Sequence, residues 1–161
     1  MRILGIDPGF SLCGFGILEK KMRVQLIDCG ILKMSPNLPI SERILLFYSF
    51  FSEKIISYGI THIALETPFL GKNAQNFLKL GYLRGVIYLM AAQKSLITQD
   101  FTPTQIKLAV TGYGGADKAQ VARVICSLFP DIFFGKHFDV TDAIAVALCC
   151  SWRLGAINCV A

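Results

Sequence analysis

Apolar residues recur with two different periods along this 161-residue chain. At the start, Ile3, Leu4 and Ile6 form a short apolar run that stops at Asp7-Pro8-Gly9, the pattern of a buried strand running into a turn. Residues 13–18 (CGFGIL) and 23–34 (RVQLIDCGILKM) repeat it, and the short link Lys20-Lys21-Met22 makes the three an antiparallel meander. Gly14 and Gly16 would let backbone or ligand approach the second strand closely. After a Ser-Pro-Asn-Leu-Pro loop the period changes. Ile44, Tyr48, Phe51 and Ile55 fall at helical spacing over residues 41–57, with Ser41 as N-cap and Gly59 as the stop.

Residues 61–66 (THIALE) return to strand character, residues 74–94 form a long helix, and residues 96–101 a fifth strand. A short helix opened by Pro103, a glycine-rich loop at 111–118, a helix from about 118 to 128 and an apolar helix from Asp139 complete the order. Gly81 and Gly85 share one face of the long helix; each costs about 1 kcal/mol relative to alanine, so close packing against the sheet or a second subunit is expected there. A strand reached through a helix runs parallel to an earlier one. The predicted architecture is one α/β domain over residues 1–161, a mixed five-stranded sheet flanked by helices.

Two strands of that scheme end in a carboxylate, Asp7 and Glu66, and side by side they emerge at one sheet edge. Each acid also has an ordinary role open to it, as turn chemistry for Asp7 and as N-cap or dipole partner for Asp139 and Asp142, which lie i, i+3 at a helix start. His137, next to them, reads most simply as a solvated loop residue. The element order resembles the ribonuclease H-like (retroviral integrase superfamily) fold, in which the last helix brings its N-terminus to the tips of the first and fourth strands. That resemblance implies that Asp7, Glu66, Asp139 and Asp142 converge. Four such carboxylates cannot all stay ionised without cations, and hard oxygen donors suit Mg2+ or Mn2+. Two such ions can clamp a phosphodiester.

Composition narrows the class. Hydrophobic residues make up 53% and mean hydropathy is +0.53, which points to an apolar self-association face. The greasiest run, residues 143–152, is too short for a membrane span, and a turn interrupts the N-terminal apolar segment where a signal peptide would continue. No membrane role and a cytoplasmic location are expected. The six cysteines contain no C-x-x-C pair and read as buried thiols. The glycine-rich loop lacks Walker spacing and reads as a carrier for Lys118. Net charge is +5, and setting four clustered acids aside leaves sixteen basic against seven acidic side chains, a surface suited to a polyanion.

The motifs RILGIDPG with GFGI, ALE followed closely by Phe69, GKNA with KLGYLRGV, TPTQIKLAVTG, DKAQV and DVTDAIAVA stand in order over nearly the whole chain. Together they resemble the RuvC-type Holliday junction resolvases. The resemblance implies a Mg2+-dependent endonuclease, with two ions per site, that resolves four-way DNA by paired symmetric nicks in recombination and repair. It implies Asp7, Glu66, Asp139 and Asp142 as the catalytic metal-binding acids and Lys107 and Lys118 as cleft bases, Lys118 counted with the catalytic set. Phe69 would stack on unpaired junction bases. Lys72 and Arg84, with Lys79 and Arg43, would track phosphates. A homodimer is implied, as is partnership with the RuvA-RuvB branch-migration machinery. Thr67, where the family commonly carries Gln, and Phe10 depart from its pattern. The rivals are an actin-like ATPase, which needs two such domains, a YqgF-type nuclease-like protein, and a non-catalytic junction-binding module, which would lack one of the acids.

Overall fold

The computed structural model describes residues 1–68, 74–130 and 138–157. Strands β1 (Arg2–Asp7), β2 (Leu12–Lys20), β3 (Val24–Lys33), β4 (His62–Glu66) and β5 (Ile97–Phe101) form a sheet in the order β3-β2-β1-β4-β5. The first three are antiparallel, whereas β4 pairs parallel to β1 and β5 parallel to β4. The meander, the parallel return through a helix and the mixed five-stranded sheet are as the periodicity predicts.

Helices α1 (Ile40–Tyr58) and α2 (Ala74–Gln93) cover one face of the sheet; α3 (Pro103–Thr111), α4 (Lys118–Leu128) and α5 (Phe138–Ile157) cover the other. Strand alternation sorts the side chains between the two cores. Leu4, Ile6, Ile63 and Leu65 pack with Phe47, Phe51, Leu83 and Ile87 beneath α1 and α2. Ile3, Leu18 and Ala64 pack with Ile144, Val146 and Leu148 beneath α5. By the same alternation, Asp7 and Glu66 fall on the α5 face.

α5 lies directly on the sheet because its floor is small. A Cβ at Gly5 would stand 2.1 Å from the Ala143 carbonyl oxygen, one at Gly14 2.0 Å from that of Asp139, and one at Gly16 2.5 Å from Ile144 Cγ1. Gly5 and Gly16 are register partners, as are Asp7 and Gly14. The close approach expected at Gly14 and Gly16 is therefore made by α5, through its backbone at Gly14 and through Ile144 at Gly16, which seats the start of α5 beside the end of β1. Lys20 Nζ donates to the Ser151 carbonyl farther along the same helix.

Local signals decide the other helix ends. Thr102 and Asp117 each form a capping box, with Gln105 and Gln120 respectively, and Gly59 ends α1 in the left-handed region at φ 56°. The N-cap of α1 is a correction: the helix begins at Ile40 behind Pro39, with no side-chain cap, so Ser41 lies inside it. Its buried stripe centres on Arg43, Phe47, Phe51 and Ile55, with Ile44 and Tyr48 only half-buried at its flank. Close packing at Gly81 and Gly85 is not found among the described residues, since a Cβ at either would meet none of their atoms within 4 Å. Cys13, Cys149 and Cys150 are buried free thiols, Cys29 is half-buried, and Cys126 is exposed.

Candidate active site

Parallel pairing of β1 with β4, in the register Ile6 to Leu65, carries Asp7 and Glu66 to the same sheet edge. Across from them stands the start of α5. Asp7, Glu66, Asp142, Lys107 and Lys118 line one cavity of about 200 Å3, whose apolar wall is Pro103, Ile106, Val121 and Ala145. Asp139 is not among the lining residues, but it acts on Asp7 electrostatically from the first turn of α5.

The charge balance of the cavity is visible in its proton affinities. Burial is the largest effect on Asp7, followed by the Asp142 and Asp139 carboxylates, and together they push its pKa up to about 7 against a partial offset by Lys118. Glu66 is raised too, by burial and then by Asp142. Lys118 Nζ donates to Asp142 Oδ2 at 2.7 Å, and that bond holds the ammonium above its ordinary pKa. Lys118 is the first residue of α4 and Asp117 its cap, so the capping box aims the ammonium at the cavity.

The site is short of positive charge with Lys118 in place. Among the described residues no three His, Cys, Asp or Glu side chains stand grouped as a ready-made ion cage; the cation closest to the acids is the Lys118 ammonium. The donor set is nonetheless that of a hard divalent ion: carboxylate oxygens from three elements, raised proton affinity at Asp7 and Glu66, and, among the described residues, no competing thiolate or imidazole on the cavity wall. The residues fit Mg2+ or Mn2+.

Arg84 and Arg43, expected to track phosphates, both make bonds within the chain. Arg84 is buried: Nη1 donates to the Glu66 carbonyl at 2.7 Å, and Nη2 to Tyr88 Oη and to Asp100 Oδ1, each at 2.6 Å. Arg43 is buried as well, its Nη2 donating to the Phe10 carbonyl and, at 3.4 Å, to Ser11 Oγ, with the guanidinium over the Phe10 ring. Both guanidiniums are spent on backbone just beyond a site carboxylate, because a buried charge needs acceptors around it. Phe10 supplies an anchor for Arg43, and the Thr67 hydroxyl donates to the Phe101 carbonyl at 3.2 Å beside the end of β4. Lys79 is half-buried on α2. Phe69, Lys72 and His137 lie outside the described residues. Asp100 and Tyr88 escaped sequence reasoning; the available signal was a carboxylate inside an otherwise neutral strand.

A family model described as crossover junction endodeoxyribonuclease RuvC matches residues 3–150. The chain belongs to the RuvC family. A RuvC curated as crossover junction endodeoxyribonuclease from Caldicellulosiruptor saccharolyticus is 40% identical over 92% of this chain and 91% of its own. RuvC from Pelodictyon phaeoclathratiforme, with the same description, is 36% identical over 97% and 82%. Among solved structures, Thermus thermophilus RuvC superposes with a TM-score of 0.85 at 25% identity, covering 96% of this chain and 97% of that one. Thermus thermophilus RuvC in complex with Holliday junction substrate gives 0.87 at 26%, covering 96% of each chain. The RuvC match fixes the fold as ribonuclease H-like. No helix among the described residues of this RuvC-family chain is long and apolar enough to cross a membrane.

Proposed function

We propose that this chain is a divalent-metal-dependent endonuclease that resolves four-way DNA junctions by paired symmetric nicks, acting in the cytoplasm in recombination and repair. The observation that carries the reading is the meeting of Asp7, Glu66 and Asp142, from two strand ends and a helix start, in one cavity with Lys107 and Lys118. Asp7, Glu66, Asp139 and Asp142 would hold Mg2+ or Mn2+, with four carboxylates enough for a pair of ions. When bound, the ions supply an activated water and charge stabilisation at the leaving oxygen.

The chain's own residues do the rest. Lys118, which donates to Asp142, would be freed if a cation took that carboxylate and could then meet charge developing on the phosphate. Lys107, on α3 and lining the same cavity, would hold a non-bridging phosphate oxygen.

A homodimer suits a two-fold substrate. It is supported by the outward face of α2, where Leu78, Gly81, Tyr82, Gly85 and Leu89 form an exposed stripe open at both glycines. Phe69 and Lys72 are proposed junction contacts and RuvA-RuvB proposed partners on the family likeness alone. A gel assay with a synthetic four-way junction and Mg2+ tests the reading. Native protein should give paired nicks, and Asp7→Asn should bind the junction but leave it whole. Cleavage undiminished in Asp7→Asn would overturn the assignment, and a sedimentation run on the same samples should find a dimer.

A further inference from the structure

We propose that Arg84 is the positioning residue for Glu66, its buried guanidinium holding the end of β4 against solvent-facing Asp100 and Tyr88. This rests on the reading of Glu66 as a metal-binding acid.

The geometry is closed on every side. Arg84 Nη1 meets the Glu66 carbonyl at 2.7 Å; Nη2 meets Asp100 Oδ1 and Tyr88 Oη at 2.6 Å each; and Tyr88 Oη donates back to Asp100 Oδ2 at 2.8 Å. The acceptors come from three elements: the tip of β4, the next turn of α2, and β5, whose Asp100 is the register partner of Leu65. A guanidinium is a rigid planar fork, so it cannot follow the Glu66 carbonyl without giving up the bonds to Asp100 and Tyr88. Charge-assisted bonds of this length are strong, and the arginine is buried while Asp100 reaches solvent.

The held atom belongs to the same residue that supplies the carboxylate. Fixing the Glu66 carbonyl fixes its Cα–Cβ direction, and with it the reach of the side chain toward Asp7 and Asp142. Thr67 steadies the next residue through its amide, 2.8 Å from the Phe101 carbonyl. Arg84 itself lines a smaller cavity on the other side of the Asp7–Glu66 pair, with Thr67, Pro68 and Leu80, rather than the cavity that holds Lys107 and Lys118. It is placed to set the acid rather than to touch the phosphate.

Three variants grade the cluster. Tyr88→Phe removes one bridging hydroxyl, Asp100→Asn removes the charge but keeps the shape, and Arg84→Lys removes the fork. Each is compared with native protein and Glu66→Gln for junction affinity, single-turnover cleavage at saturating junction, and Mn2+ affinity of the DNA-free protein by electron paramagnetic resonance. Misplacing a reacting group by 1 Å costs about 10²-fold, so Arg84→Lys should cut roughly 10- to 100-fold slower and the two milder variants about 2- to 10-fold slower. Junction affinity should stay within about twofold, and Mn2+ affinity should fall several-fold in the same order.

Native rate and native Mn2+ affinity in Tyr88→Phe and Asp100→Asn overturn the proposal. So does an Arg84→Lys protein that loses junction affinity but cuts normally once saturated, since that is the behaviour of a phosphate contact. Should Arg84→Lys fail to fold, the two near-isosteric variants decide. If native protein does not cut, the nuclease reading has failed instead; if it cuts and Glu66→Gln does not, that reading stands and only the role of Arg84 is in question.

Discussion

Replacing Gly5 by alanine tests how the two halves of the site are brought together. The added Cβ would stand 2.1 Å from the Ala143 carbonyl oxygen, 2.8 Å from Ala147 Cβ and 3.0 Å from Ala147 N. Non-bonded carbon contacts settle at about 3.5 Å, so the nearest of these is more than 1 Å too short. The obstacle is helix backbone and a methyl group, with no flexible side chain to swing aside. α5 must lift or the strand must bend. Overpacking of this kind costs about 1–3 kcal/mol, or roughly 2–12 °C in melting temperature for a chain of this size. The displacement also separates Asp139 and Asp142 on the helix from Asp7 and Glu66 on the sheet, so cleavage should slow by about 10²-fold. Thermal melts and single-turnover junction cleavage well below the melting point read the two effects separately. Gly85→Ala, compared at concentrations where the protein is monomeric, is the control: its Cβ would meet no described atom of its own chain within 4 Å, and the same change should stabilise α2 by about 0.5–1 kcal/mol. If Gly5→Ala melts within a degree of native and cuts within about twofold, the account of α5 seated on a glycine floor is wrong.

Two further outcomes follow from the charge balance. Folding raises the Asp7 pKa from 3.8 to about 7, so between those values the folded chain holds a proton that the unfolded chain has released. Stability in chelator should therefore fall as pH rises from 4 to 7, by up to about 4 kcal/mol at 1.36 kcal/mol per unit, with Glu66 adding in the same direction. Asp7→Asn should match native protein near pH 4 and exceed it by roughly 2–4 kcal/mol at pH 8 in urea titrations; equal stability at pH 8 would refute the crowding of carboxylates. Lys118→Met removes the ammonium that competes for Asp142. Calorimetry on DNA-free protein should find Mn2+ bound several-fold more tightly, while junction cleavage drops by about 10²-fold; unchanged metal affinity would separate Lys118 from the acid cluster.

Much of this arrangement is legible in the chain because the relevant signals are local. Apolar runs ending at Asp7 and Glu66 define strand tips, and a connecting helix makes those strands parallel. The parallel pairing alone puts both acids at one edge. The Gly14 and Gly16 pattern announces a close approach, although only the packed structure identifies the visitor as α5. Arg43 and Arg84 are less legible. A long basic side chain on a helix is ordinarily solvated, and whether it turns inward depends on acceptors contributed by other segments: Phe10 and Ser11 for one, Glu66 and Asp100 for the other. The start of α1 fails for a related reason. Ser41 is a good capping residue, but the helix already begins at Ile40, and the N-cap position falls to Pro39 with extended backbone at φ −52° and ψ 151°.

The glycine floor beneath α5 has one more consequence. Because the start of the helix is pressed on the sheet at Gly5 and Gly14 with no side chain between them, the acids are fixtures of the framework rather than ornaments on movable loops. Warming such a protein cannot loosen its chemistry in advance of its architecture: the seam that aligns the carboxylates is the seam that closes one of its two cores. Loss of cutting and loss of structure should then be a single event, with no temperature at which an intact molecule idles.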